Sequence, residues 1–115
     1  MSVISFRGKS ASTEVQFFRN YDIATNGDID GTAITDPSLL GPDGRNWFGQ
    51  GFYFQPSQTG DVVALSYQDW VTNNKVVDDS LAQVLPSCAS GVMHPTRVVK
   101  IYQTGTISST LALGV

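Results

Sequence analysis

The segment FRGKS sets Arg7, Gly8, Lys9 and Ser10 side by side, with Ser12 two residues further on. A guanidinium, a permissive glycine, hydroxyls and the amides opening a following helix would together cradle an anion or a phosphate. The same residues also suit a surface Arg–Lys pair flanking a turn. Glu14 is the only glutamate and stands where a helix N-terminus stabilises negative charge. Any mechanism that demands a glutamate from this chain must use it.

His94, in VMHPTR, is the one histidine. Acid–base chemistry near neutral pH would fall to it, since imidazole is the side chain that titrates there. The count excludes a two-histidine ribonuclease mechanism and poorly supplies a histidine-based zinc site. What remains is a loop histidine before Pro95, or a distant ribonuclease-type pairing with Arg7 or Arg97. Cys88, in LPSCASG, is the single cysteine. It forms no intramolecular disulfide and is expected to be a small half-buried residue rather than a nucleophile.

The run NGDIDGTAITDP opens like a calcium loop, with Asn26, Asp28 and Asp30 at alternate positions and Gly31 next. A bidentate carboxylate should close such a loop at its twelfth position. That position holds Pro37, and the acid falls one place early at Asp36. A polar, turn-rich loop is the preferred reading.

The elements that would position these residues follow from pattern and punctuation. SVISFRG reads as a strand ended by Gly8. SASTEVQFFRNYDI reads as a helix capped by Ser10 or Ser12, with Val15, Phe18 and Tyr21, or Phe17 and Tyr21, on one face. Residues 24–45, rich in Gly, Pro, Asp, Asn and Thr, form a long loop of the kind that often carries function. WFGQGFYF is expected to be a strand, with Trp47, Phe52 and Phe54 in the core and Tyr53 on the opposite face. TGDVVALSYQDWVTNN reads as a second helix capped by Thr59, its apolar side drawn from Val62, Leu65, Tyr67, Trp70 and Val71. AQVLP and TRVVKIYQTG read as strands, and TISSTLALGV as an edge strand or a frayed end. The fold class is α+β: residues 1–115 form one compact, strand-rich domain with two main helices.

Charged residues make up only 15% of the chain, and the net charge is −3. A dominant nucleic-acid backbone interaction is excluded on that balance, and no basic run suits anionic lipid. No apolar run approaches the ~20 residues of a membrane-spanning helix, and no leader-like segment opens the chain. The expectation is a soluble protein of a reducing compartment, cytoplasmic or a domain of a secreted effector.

Taken in order, FRGKSASTEVQFFRNYDIATNG, FGQGFYFQPSQTGDVVALSYQDW and RVVKIY resemble the ADP-ribosyltransferase core, most closely its small toxin-type domains. The resemblance covers about residues 3–103. It implies NAD as the bound substrate and transfer of ADP-ribose to a protein or nucleic-acid acceptor. It implies a cofactor-binding set of Arg7, Gly8, Ser10, Tyr53 and Phe54. Arg7 would orient the ribose and diphosphate, Gly8 would approach the nicotinamide amide through its backbone, and Tyr53 would stack near the nicotinamide ring. The catalytic set carried over is Arg7, Tyr53 and Gln103. The family's late glutamate stabilises the oxocarbenium-like transition state, and Gln103 falls in the region where it would stand. A glutamine donates a hydrogen bond but does not neutralise a developing cation. The resemblance therefore leaves open a transferase using Asp69, Asp78 or Asp79, a fragment, and a catalytically silent, effector or lectin-like binding module using the same aromatic cleft.

Overall fold

The structure is a computed structural model that describes residues 17–115. Seven strands form two antiparallel sheets. β1 (Phe18–Asp22), β7 (Thr110–Gly114) and β3 (Tyr53–Pro56) make the smaller sheet, with β7 in the middle. β2 (Ile29–Asp30), β6 (Val98–Tyr102), β4 (Gly60–Ser66) and β5 (Gln83–Cys88) make the larger, in that order. Two short helices, α1 (Ile23–Asn26) and α2 (Tyr67–Thr72), complete a mixed, strand-rich domain.

Alternation along the strands supplies the main core. Tyr21 from β1, Leu111 and Leu113 from β7, and Phe54 from β3 pack with Val62, Ala64, Val98 and Ile101 of the larger sheet. Phe48 and Phe52 seal the junction at 0% exposure, their rings edge-on at 5.6 Å. Phe52 also bridges the two sheets through the backbone, exchanging hydrogen bonds with Val98 at 2.8 and 2.9 Å. Gly31 is held against this junction: a Cβ there would lie 2.7 Å from the Phe52 ring and 2.9 Å from the Phe48 carbonyl oxygen.

The second face of the larger sheet is covered as well. Leu65, Trp70 and Val99 pack there with Tyr67, Val77, Leu81 and Tyr102. This double burial corrects the expected helix over TGDVVALSYQDWVTNN. Gly60–Ser66 is a strand, and only Tyr67–Thr72 is helical. A strand buried on both faces loses its polar alternation, and its continuous apolar run then matches a helical face equally well. Ser66, not Thr59, caps α2, its hydroxyl accepting from the Asp69 N–H at 3.1 Å. The Thr59 hydroxyl accepts from the Ser90 N–H instead.

Three further expectations change. The described end of the first predicted helix, Phe18–Asp22, is strand β1, in which Tyr21 faces the core and Phe18 is 48% exposed. Trp47 is 41% exposed rather than a core residue. It lies against Phe17, with ring centroids 4.8 Å apart, and its indole N–H donates to Asp43 Oδ1 at 2.8 Å. TISSTLALGV supplies β7, the central strand of its sheet, because β1 and β3 both pair with it.

The long segment after β1 is the turn-rich stretch its composition suggests. Repeated Asp-x-Ser/Thr triplets shape it: Asp30 caps the turn through Thr32 and Asp36 through Ser38, a pattern recurring at Asp78 and Ser80. Each carboxylate accepts from the backbone N–H two residues on, the usual side-chain mimic of a turn.

Candidate functional site

β3 positions the residue on which the aromatic segment turns. Its burial alternates, so that Phe54 and Pro56 face inward while Tyr53 and Gln55 are half-buried on the other side. The outer edge of β3 is occupied by the chain from Gly91 to Val98, since the His94 N–H donates to the Phe54 carbonyl at 2.8 Å and the Gly91 N–H to the Pro56 carbonyl at 2.9 Å. This pairing lays VMHPTR beside Tyr53. Tyr53, Met93, His94 and Pro95 then line a chiefly apolar recess of about 90 Å³.

The imidazole in that recess is fixed from two sides. It stacks on Phe54 with ring centroids 5.1 Å apart and 8° between the planes. Its Nδ1 accepts from the Thr96 N–H at 3.1 Å, so the neutral ring carries its proton on Nε2. Burial lowers the His94 pKa from its ordinary value. The recess is lined by a tyrosine, a histidine, a thioether and a proline, a combination suited to one flat heteroaromatic ring.

A pH prediction follows from the buried imidazole. With its pKa lowered on folding, the unfolded chain binds the proton more readily than the folded one. The stability linked to His94 is therefore fully present above about pH 6.5 and declines as pH falls below that value. Carboxylate titration begins lower, since Asp36, Asp43 and Asp79 are held below their ordinary pKa by hydrogen bonds from Ser38, from Arg45 and Trp47, and from Tyr102 and Lys100. The melting temperature should drop between pH 7 and pH 5. A His94→Phe variant, which keeps the stack without the titrating ring, should flatten that drop.

The other site residues expected from sequence are distributed differently. Arg7, Gly8 and Ser10 lie outside the described residues. Phe54 is fully buried, and the partner of its ring at the recess is His94. Gln103 follows β6 and pins the corner after β1: its backbone N–H donates to Asp28 Oδ1 at 2.8 Å and its Nε2 to the Ala24 carbonyl at 2.7 Å. Neither Asp28 nor Ala24 lines the Tyr53 recess. Arg97 is also engaged, its guanidinium 4.1 Å above the Tyr67 ring and donating to the Gln50 carbonyl. The His94–Arg97 pairing of a ribonuclease-type site accordingly finds no support. Sequence reasoning missed Met93 and Pro95, although both flank the histidine it singled out.

The remaining acids serve elsewhere. Asp69 accepts from Gln83 Nε2 at 2.9 Å. Asp78 caps the turn at Ser80. Asp79 accepts from Lys100 Nζ at 3.1 Å and from the Tyr102 hydroxyl at 2.7 Å. Burial, and then the hydrogen bond to Asp79, push the Tyr102 hydroxyl pKa upward.

The calcium-like segment borders a second recess of about 300 Å³, lined by Asp28, Asp30 and Asp36 among others. Its carboxylates are engaged locally with Gln103, Thr32 and Ser38. Among the described residues no group of three or more His, Cys, Asp or Glu is placed to hold a metal ion.

Cys88 is 3% exposed and its thiol donates to the Leu85 carbonyl at 3.3 Å, while burial raises its pKa. It is more deeply buried than the half-buried residue its context suggested. Among the described residues no helix is long and apolar enough to cross a membrane.

Comparisons with protein-family models, with curated proteins and with solved structures give no match to this chain.

Proposed function

We propose that this chain is an ADP-ribosyltransferase-like domain that binds NAD, with the nicotinamide ring seated in the recess of Tyr53, Met93, His94 and Pro95. The observation that supports this most is the recess itself. A planar, electron-poor ring gains from the tyrosine face, and its carboxamide oxygen can accept from the His94 Nε2–H. Arg7, with the hydroxyls and amides after Gly8, is the expected partner of the diphosphate. Transfer of ADP-ribose to a macromolecular acceptor would require a group to stabilise the ribose cation as the nicotinamide bond breaks. None of the described residues that line the recess is a carboxylate.

That last observation favours a second reading of the same site, a silent module that binds NAD or a related ligand without transfer. Loss of such a transition-state charge contact typically costs about 10²–10³ in rate. The two readings separate in one pair of measurements. NAD should bind by calorimetry, and Tyr53→Ala and Arg7→Ala should each weaken it about tenfold or more. Release of free nicotinamide that disappears in Arg7→Ala would establish the transferase. Binding without release would leave the silent module. No binding of NAD at millimolar concentration would remove both.

A further inference from the structure

The outward face of the smaller sheet carries a separate cavity. Its three strands are in register, so their outward residues form rows: Phe18–Gly114–Tyr53 and Asn20–Ala112–Gln55, with Asp22 beside Thr110 at the far end. Directly paired residues of antiparallel strands project on the same side. The central strand therefore contributes Gly114, Ala112 and Thr110, and the flanking strands contribute larger side chains. The result is a trough of about 390 Å³ lined by Asn20, Gln55, Pro56, Ser57, Thr110, Leu111 and Ala112.

The walls of this trough are chemically specific. Asn20 and Gln55 stand one strand to either side of Ala112, which separates their Cα atoms by about 9.5 Å. Among the described residues neither amide side chain has a hydrogen-bond partner, and an amide carries both donors and an acceptor. At the far end Thr110 Oγ1 donates to Ser57 Oγ at 2.7 Å, which fixes the two hydroxyls as a pair. None of the described residues of the lining is charged. At the near end Phe18 presents a ring that is 48% exposed.

A phosphate- or sulfate-bearing ligand would want cations here, and an apolar ligand would leave two amides unpaired. A neutral chain rich in hydroxyls satisfies both walls and gains from the aromatic ring at the end. We infer that this trough is a binding site for a neutral oligosaccharide, laid along β7 between the amides of Asn20 and Gln55 with a sugar face against Phe18. The site is distinct from the Tyr53–His94 recess and does not depend on its ligand.

The test uses the intact protein and a panel of soluble hexaoses of glucose (β-1,4 and β-1,3), xylose, mannose and N-acetylglucosamine, with a sulfated heparin hexasaccharide as the anionic arm. Backbone amide NMR shifts and calorimetry report binding. At least one neutral hexaose should bind with Kd below about 1 mM, shifting the amides of Asn20, Gln55 and Thr110–Ala112. The Asn20→Ala/Gln55→Ala double variant should weaken it about tenfold or more, and Ala112→Leu, which fills the floor, should do the same. All three positions face outward, so melting temperatures should stay within a few degrees of the parent, and the NAD response at Tyr53 should be unchanged. The inference is overturned if no neutral hexaose binds at about 5 mM, if binding survives both variants, or if the sulfated hexasaccharide binds more tightly than every neutral one.

Discussion

Replacing Phe52 by alanine should destabilise the domain by about 3–5 kcal/mol, the cost of deleting a fully buried phenylalanine. Phe52 is at 0% exposure, meets the Phe48 ring edge-on, and presses against Gly31. Its backbone is also the bridge to Val98 that joins the two sheets. The cavity would open between them, where neighbours from both must shift together to refill it. Domains of this size are stable by only about 5–15 kcal/mol, so the loss takes a large share of the total. Urea unfolding should show a lower midpoint with an unchanged slope. The neighbouring Tyr53→Ala, at the start of β3 and half-buried, should lose far less stability and act on ligand binding instead. Equal destabilisation by the two variants would mean that the face assignment of β3 is wrong.

The second large effect is expected at Gly51. Its φ is +94°, a conformation L-residues adopt only with strain, and a Cβ there would lie 2.8 Å from Arg97 Nε and 3.1 Å from the Tyr67 ring. Gly51→Ala therefore combines a backbone penalty of roughly 1–3 kcal/mol with displacement of the Arg97–Tyr67 stack. Gly49, two residues earlier, has room: the nearest atom to a Cβ would be Asn46 Nδ2 at 3.5 Å. Gly49→Ala should accordingly be close to neutral. Thermal unfolding of the pair checks the contrast, and similar melting temperatures for both would contradict it.

The two glycines show how much of this architecture a reader of the sequence can see. The alternation of Phe52, Tyr53 and Phe54 was legible, because one pleat fixes which side each residue takes. Strands β5 and β6 were legible too, with β6 bounded by Pro95 and Gly105 and rich in β-branched residues. β4 was not, since burial on both faces removes the period that distinguishes a strand from a helix. The central place of β7 was equally hidden. Thr110–Gly114 alternates well, yet only its pairing with β1 and β3 makes it central, and that is a long-range fact. Of the candidate site, His94 and Tyr53 were each singled out separately. Their meeting depends on Gly91–Val98 lying along the edge of β3, which no local signal announces. Gln103 was drawn by resemblance toward a catalytic position, and the structure shows it anchoring Ala24 and Asp28.

Met93 lines the same recess as Tyr53 and His94 and would report on a nicotinamide ring seated there. The decisive measurement is a titration of protein carrying ¹³C-methyl methionine with nicotinamide, NAD and ADP-ribose in turn. The Met93 methyl resonance should move saturably with nicotinamide and NAD, move little with ADP-ribose, and respond to neither nicotinamide nor NAD in Tyr53→Ala. A Met93 resonance unmoved by NAD at millimolar concentration, or moved as much by ADP-ribose, would contradict that seating.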